Sequence, residues 1–227
     1  MAKESAITRH LLFRHRGEGV DHSPVTYIEL FFDLVFVFAI TQLSHSLMYH
    51  LTAGGALETL VLFLAVWGVW IFTGWTTNWL DPERGHVRLM LILLMIGGLA
   101  LSAAIPKAFG ANGLLFAGAY VAMQIGRTLY MVWASSGVNE ARKRNFLRIA
   151  FWFGLTAPLW IGGAMLDHGA RLACWGLALL IEYVAPSQFF PTPGLGRSSG
   201  SDWDISGGHM AERCALFIII ALGEAII

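Results

Sequence analysis

Long apolar segments separated by short polar gaps run through most of the chain. An α-helix needs about 20 residues to cross the ~30 Å hydrocarbon core of a bilayer, and these segments lack the alternation expected of barrel strands. The pattern predicts helices at Val25–Met48, Leu57–Trp79, Val87–Ile105, Leu114–Ala134, Phe146–Leu166 and Leu172–Ala185, with a seventh starting near His209. We therefore predict an all-α, polytopic transmembrane helix bundle with about six complete spans and the start of a seventh.

Helix-start signals precede the first of these segments. Ser23-Pro24 supplies a possible N-cap followed by a proline at the first helical position. Thr26 and Glu29 have the i,i+3 spacing of a capping box and offer an alternative start just beyond it. Both signals predict a helix that begins within a few residues of position 25.

Composition agrees with a membrane protein. The chain is 56% hydrophobic and 13% charged, with a mean hydropathy of +0.61, whereas an ordinary soluble domain is about 25% charged. The net charge is zero, so no nucleic-acid partner is indicated. Cys174 and Cys214 match no zinc motif. The lipid bilayer is the expected partner, and the sequence predicts no cofactor and no metal.

Basic residues are concentrated in alternate gaps between the segments. Eleven lie in the N-terminal segment and the second, fourth and sixth gaps, whereas Lys107 and Arg171 alone lie in the others. Because cytoplasmic loops are enriched in Lys and Arg, we predict a bacterial cytoplasmic (inner) membrane protein with a cytoplasmic N-terminus. Residues 1–24 form a basic cytoplasmic segment, lying on the anionic leaflet or in solution, and residues 25–227 form the membrane domain.

Ionisable residues within the predicted spans are the candidates for function. Charges in a membrane are costly and usually have a partner or a task. The candidate proton or ion sites are Glu29, Asp33, Arg127, Glu182, His209, Glu212, Arg213 and Glu224. At ~1.5 Å per residue, Asp33 and Arg127 each lie ~12 Å from the cytoplasmic surface, which makes an Asp33–Arg127 contact geometrically possible. Most of the set falls in the cytoplasmic half, and Glu224 falls in the outer half.

Structural explanations compete with the functional ones. Glu29 could serve as a helix cap, and Asp33–Arg127 could be an ion pair that fixes helix register. His209 and Glu212 have the i,i+3 spacing of half a metal site, but no second half is evident. No catalytic residue is predicted, because the sequence has no nucleophile elbow, zinc-protease motif or P-loop.

Four segments carry a resemblance to a known family. Residues Tyr27–Val37, which read YIELFFDLVFV, resemble the ELFFDLVFV segment of the bacterial low temperature requirement A family. Three further stretches are similar: Thr77–Arg84, Gly126–Thr128, and His209–Phe217 taken together with Leu222–Glu224. The resemblance implies a multi-spanning bacterial protein linked by its family name to growth in the cold. It also implies a longer chain, so we expect this sequence to stop inside its seventh span.

Three functional hypotheses follow. The first is a proton-linked transporter of a small solute, in which protonation of Asp33 or of the Glu29/Asp33 pair is opposed by Arg127 or Arg213 and changes the cost of burial. The second is a non-transporting scaffold or sensor that supports envelope function. The third is an intramembrane lipid-modifying enzyme using His209 and Glu212. The sequence leaves the oligomeric state open.

Overall fold

Seven α-helices form the part of the chain described by the computed structural model, which comprises residues 9–14, 25–200, 203 and 205–226. They are α1 (Tyr27–Tyr49), α2 (Ala53–Trp79), α3 (Gly85–Ala104), α4 (Gly113–Ser135), α5 (Glu140–Ala164), α6 (His168–Ser187) and α7 (Gly207–Ile226), and a 3₁₀ turn (Ile105–Lys107) follows α3. No strand occurs in these ranges. The all-α prediction is confirmed here, and each helix covers one predicted segment.

Four helices have the length and apolar composition needed to cross a membrane. They are α1, α2, α3 with its 3₁₀ extension, and α5. The prediction of six complete spans is not confirmed, because α4, α6 and α7 do not reach the same apolar composition over a membrane-spanning length. These three helices contain the charged residues Arg127, Glu182 and Arg213, whose side chains are buried in the protein interior.

The outer surface of the bundle is largely apolar. Large hydrophobic side chains such as Phe31, Leu93, Leu180 and Ile219 are exposed, while charged groups within the helices such as Asp33, Arg127 and Arg213 are buried. A soluble protein rarely exposes so much contiguous apolar surface, whereas a bilayer favours this arrangement. The distribution of exposed side chains therefore agrees with a membrane protein.

Helix α2 occupies the centre of the arrangement. It contacts α1 and α7 on one side and α4 and α6 on another, while α3 packs between α1 and α4, and α5 packs between α4 and α6. The second half of α2 is buried around much of its circumference, including the polar residues Thr73, Thr77 and Asn78. Polar groups of α2 are therefore available to helices on both sides.

The loops that carry most of the basic residues lie at one end of the bundle, which we call the basic end. The N-terminal residues Arg9–Arg14 pack there: Phe13 forms an antiparallel bridge with Leu80, and Leu12 is buried. The guanidinium of Arg142 lies 4.8 Å from the centroid of the Phe13 ring. This portion of the predicted N-terminal segment thus covers the helix ends, and residues 1–8 and 15–24 lie outside the described residues.

A buried arginine closes the opposite end. Arg171 donates two hydrogen bonds of 2.8 Å to the carbonyl oxygens of Ala108 and Gly110, and two more to those of Ala164 and Leu166. These carbonyls follow α3 and end α5, where backbone acceptors lack partners within the helix. A single guanidinium therefore stabilises the ends of two helices.

Candidate functional site

Two buried polar clusters lie on the two sides of α2. We call the first the charged cluster; it comprises Arg14, Glu29, Asp33, His209 and Arg213. We call the second the Glu182 cluster; it comprises Tyr120, Gln124, Arg127, Thr156, Trp160 and Glu182. Burial of all these groups except Arg14 is nearly complete.

Glu29 joins the N-terminal segment to α1. Its carboxylate accepts from the backbone and hydroxyl of Thr26, at 3.0 and 2.9 Å, and the Thr26 hydroxyl caps the backbone of Glu29 in return. Arg14 Nη2 donates to both carboxylate oxygens, at 3.0 and 2.9 Å. Glu29 is thus a helix cap, as one prediction held, and also the centre of a buried ion pair.

Asp33 forms an ion pair with α7. Arg213 Nη2 lies 2.5 Å from Asp33 Oδ1, and Trp70 Nε1 donates to the same oxygen at 2.7 Å. Arg213 Nη1 also donates to the hydroxyl of Thr77 at 2.9 Å. The guanidinium carbon lies 5.9 and 5.6 Å from the ring centroids of Phe32 and Trp70. Aromatic rings and one carboxylate thus stabilise this buried cation.

The ring of His209 lies between Asn78 and Glu29. The Asn78 side chain accepts from the backbone of Ser206 at 2.8 Å and donates to its carbonyl at 3.1 Å, which fixes the orientation of the amide. The Asn78 NH₂ group therefore faces His209 Nδ1, 3.5 Å away. On the other side of the ring, Nε2 lies 3.3 Å from Glu29 Oε1. His209 thus connects α7 to both α2 and α1.

Glu182 is surrounded by neutral donors. Its Oε1 accepts from Thr156 at 2.6 Å and from Trp160 at 3.0 Å, and its Oε2 accepts from the Tyr120 hydroxyl. These donors come from α4 and α5, whereas Glu182 lies on α6. In the described part of the chain, no Lys or Arg side chain forms an ion pair with it.

A chain of hydrogen bonds connects Glu182 to Arg127. Gln124 Nε2 donates to the Tyr120 hydroxyl at 3.1 Å, and Arg127 Nη2 donates to Gln124 Oε1 at 2.5 Å. Arg127 Nη1 donates to the Thr73 hydroxyl at 3.2 Å. Each donor points toward Glu182, so the arginine and the carboxylate are linked through two neutral side chains instead of by contact.

The Glu182 cluster borders a cavity of about 220 Å³ between α2, α4 and α6. Its walls include Glu182, Tyr120 and Gln124 together with the aromatic residues Trp67 and Trp75. A concave apolar space with a few convergent polar groups is the usual form of a small-molecule site. A proton or small solute would meet the carboxylate here.

The contact between Asp33 and Arg127 that equal depth makes possible does not form, because α2 lies between them. Thr73 and Thr77 are one turn apart on α2, and the two guanidinium groups reach them from different sides: Arg127 from α4 and Arg213 from α7. An estimate of depth does not determine which helices are neighbours.

The other predicted residues divide between the clusters and the surface. Glu29, Asp33, His209 and Arg213 lie together, whereas Glu182 lies in the second cluster. Glu212 is half-buried, and Glu224 is exposed on α7.

Several site residues were not predicted. Arg14 lies outside the apolar segments, and Thr77 and Asn78 are uncharged, so a search for charges within spans passed over them. Their signal was periodic: Thr73 and Thr77 share one face of α2, and Tyr120, Gln124 and Arg127 share one face of α4. A polar stripe on an otherwise apolar helix marks the face that avoids lipid.

The fold and the two clusters define a helical protein with a membrane-type surface and charges buried in its interior. The family model for bacterial low temperature requirement A protein (LtrA) matches residues 24–227. The chain belongs to this bacterial low temperature requirement A family, as the four similar segments indicated.

One curated relative is an uncharacterized protein of Rhizobium meliloti (strain 1021). It is 43% identical over 212 residues, and the match covers 93% of this chain and 52% of the relative. The chain thus spans about half the length of the curated relative that it matches. No solved structure matches the chain.

Proposed function

We propose that this protein is a proton-linked transporter of a small solute and that Glu182 is the group that binds and releases the proton. The observation that carries the proposal is the position of this carboxylate: it is buried, it borders a cavity of about 220 Å³, and its hydrogen-bond donors are neutral. When Glu182 is ionised, no contacting cation offsets its negative charge. Gain or loss of a proton therefore changes the electrostatic potential in the cavity.

This assignment replaces Asp33 with Glu182 as the favoured proton site. The negative charge of Asp33 is compensated by Arg213 at 2.5 Å, and removing it by protonation would leave a buried arginine unpaired, which is costly. Protonating Glu182 removes a buried charge that no contacting cation compensates. Proton uptake and release therefore disturb the Glu182 cluster less than the charged cluster.

The direction of the hydrogen bonds supplies a mechanism. When Glu182 is ionised, Tyr120 donates to it and accepts from Gln124, whose amide is oriented by Arg127. A proton on Glu182 Oε2 would place two donors opposite each other, so the Tyr120 hydroxyl would have to turn away. Protonation would thus rearrange the contact between α4 and α6 beside the cavity.

Proton flux into proteoliposomes tests the proposal. A trapped pH-sensitive dye reports proton entry driven by a potassium diffusion potential. We expect flux above that of protein-free vesicles for the unmodified protein, loss of that excess for Glu182→Gln, and retention for Glu224→Gln, a matched change at an exposed site. Undiminished flux in Glu182→Gln, or no flux from the unmodified protein, would contradict the assignment.

A structural role suits the charged cluster. Arg14, Glu29, Asp33 and Arg213 connect the N-terminal segment, α1 and α7, and this is what a scaffold or sensor that depends on fixed helix positions requires. Exchanging the charges, with Asp33→Arg combined with Arg213→Asp, tests this role. Recovery of folding and function together supports a structural pair, whereas recovery of folding alone favours a direct part in transport.

Location and physiology are part of the same proposal. We place the basic end in the cytoplasm of a bacterial cell, because eleven of the basic residues fall in the N-terminal segment and in the sequence gaps after α2, α4 and α6, and segments of this kind remain on the cytoplasmic side. Reporter fusions to the loops after α2 and α3 check this orientation.

Transport that supports growth in the cold predicts slower growth of a deletion strain at low temperature, restored by the unmodified gene and not by Glu182→Gln.

A further inference from the structure

We propose that the groove between α3 and α4 binds a single-chain amphiphile with a carboxylate head group, a molecule of the fatty-acid class. The carboxylate would meet Arg127 and Tyr130, and the hydrocarbon tail would lie along the apolar wall toward the middle of the bundle. This site is separate from the cavity beside Glu182, and its binding can be measured whether or not the protein moves protons.

The groove has the size and lining of a ligand site. Its volume is about 510 Å³, within the range of roughly 300–1,000 Å³ typical of small-molecule pockets. The wall is formed by apolar side chains of both helices, among them Leu93, Leu94, Ala119 and Met123. A hydrocarbon chain would pack favourably against such an apolar wall.

The groove contains a buried cation whose contacts are neutral. Arg127 borders the groove and is 1% exposed. Its hydrogen bonds go to Gln124, Thr73 and the carbonyl of Val69, and they use Nη1 and Nη2 only. Within the described residues no carboxylate lies at ion-pair distance, so Nε–H remains for an anion, and an anionic ligand would compensate the buried charge.

A second polar group of the groove has no partner. The hydroxyl of Tyr130 is buried and forms no hydrogen bond with any described residue. Tyr130 lies one turn from Arg127 on α4 and borders the same groove. A buried donor without an acceptor is unfavourable, and a carboxylate oxygen would supply that acceptor. Two independent observations on one face of α4 thus favour an anion.

The ends of the groove indicate how the ligand lies. His86 and Trp133, with ring centroids 6.4 Å apart, line it near the basic end, and side chains of this kind favour the interface between headgroups and hydrocarbon. Gly97 and Ala119 line it near the middle of the bundle. Because Arg127 lies between these ends, a carboxylate there leaves the apolar half for the tail.

Glycine 126 allows a precise test. A Cβ atom added at Gly126 meets no atom within 4 Å, and the same holds at Gly118 on the same helix. Gly126 borders the groove, whereas Gly118 does not. Gly126→Leu therefore fills the groove without an initial clash in the protein, and Gly118→Leu is the matched control with the same helix propensity.

The experiment is a fluorescence titration of the purified full chain in detergent micelles with cis-parinaric acid, displaced by palmitate or by hexadecanol. We expect palmitate to displace the probe about tenfold more strongly than the alcohol, as one charge-assisted contact would give. Gly126→Leu should weaken probe binding about tenfold and Gly118→Leu should leave it unchanged. Equal displacement by acid and alcohol, or equal effects of the two leucines, would overturn the proposal.

Variants of the polar groups separate head-group recognition from folding. Arg127→Gln should abolish the preference for acid over alcohol, and Tyr130→Phe, which removes one oxygen atom, should reduce it about threefold. Circular dichroism and size-exclusion chromatography confirm that each variant is folded. An unchanged preference in folded Arg127→Gln, or in Tyr130→Phe should the arginine variant misfold, would contradict the assignment.

Two other occupants are distinguished by the same samples. Stronger displacement by phosphatidylglycerol than by palmitate would identify the groove as a phospholipid site and overturn the single-chain assignment. A change of oligomeric state in Gly126→Leu but not in Gly118→Leu, measured by light scattering, would identify it as an interface between copies and overturn the proposal as well. Unchanged mass with lost probe binding supports it.

Discussion

The two clusters on either side of α2 handle buried charge in different ways. In the charged cluster, each carboxylate directly contacts an arginine: Glu29 contacts Arg14, and Asp33 contacts Arg213. In the Glu182 cluster, two neutral side chains separate the carboxylate from Arg127. Direct pairs resist change, because removing either charge exposes the other to the full cost of burial. Glu182 and Arg127 do not touch, so Glu182 can gain or lose a proton without leaving a directly paired arginine unpaired, and the side chains between them can rearrange.

Breaking the Asp33 pair should have the largest effect. Arg213→Met leaves a buried carboxylate without its cation and should cost about 3–5 kcal/mol in the free energy of unfolding, measured by SDS-induced unfolding in detergent micelles. The double variant with Asp33→Leu removes both charges and should recover much of that loss. A loss below about 1 kcal/mol in the single variant would contradict strong coupling of this pair.

Interrupting the chain of hydrogen bonds should cost less. Gln124→Leu removes the link between Tyr120 and Arg127 and leaves partners on both sides unsatisfied, which predicts about 1–3 kcal/mol of destabilisation. Proton flux should fall as well, since no side chain at position 124 then donates to the Tyr120 hydroxyl. A flux equal to that of the unmodified protein would show that the chain is not part of the proton response.

The cap at the start of α1 should have a smaller effect on stability. Thr26→Ala removes the hydroxyl that caps Glu29 and should cost about 1 kcal/mol, measured by the same unfolding method. Thr52→Ala, at the N-cap of α2, is the matched control without a neighbouring ion pair. A larger loss at Thr26 than at Thr52 would show that the cap also positions Glu29 for Arg14.

The exposed carboxylate of α7 should matter least. Glu224→Gln alters a group outside both clusters and should change the free energy of unfolding by no more than about 0.5 kcal/mol. Proton flux should be retained. A loss of several kcal/mol in the free energy of unfolding, or a loss of proton flux, would contradict this expectation. Either result would show that Glu224 has a partner beyond the described residues and that important charges lie outside the two clusters.

Sequence patterns predicted the helices well because their signals are local. Thr26 and Glu29 are three residues apart and formed the predicted capping box, and Ser136 ends α4 close to the predicted end of its segment. The number of membrane spans was harder to predict. In α4, α6 and α7, apolar and polar residues are mixed, so hydropathy alone does not separate a span from a buried helix with a polar face.

Pairing of the charges was predictable only in part. His209 and Arg213 share a helical face, and both contact the Glu29 and Asp33 pair. The sequence left Arg127 and Arg213 open as the charge that opposes Asp33, because depth gives only one coordinate, and the structure places Arg213 there. The position of a helix around the bundle decides which side chains meet, and the sequence of a single chain does not report it.

By itself, the sequence determined that this protein is helical, rich in apolar segments and a member of its family, because hydrophobic length, local capping and motif residues act within one segment at a time. Only the tertiary structure decided that α2 separates two polar clusters, that Arg14 reaches Glu29 from outside the helices, and that Arg127 borders an apolar groove. These contacts join residues far apart in the chain, and packing alone fixes which of them become neighbours.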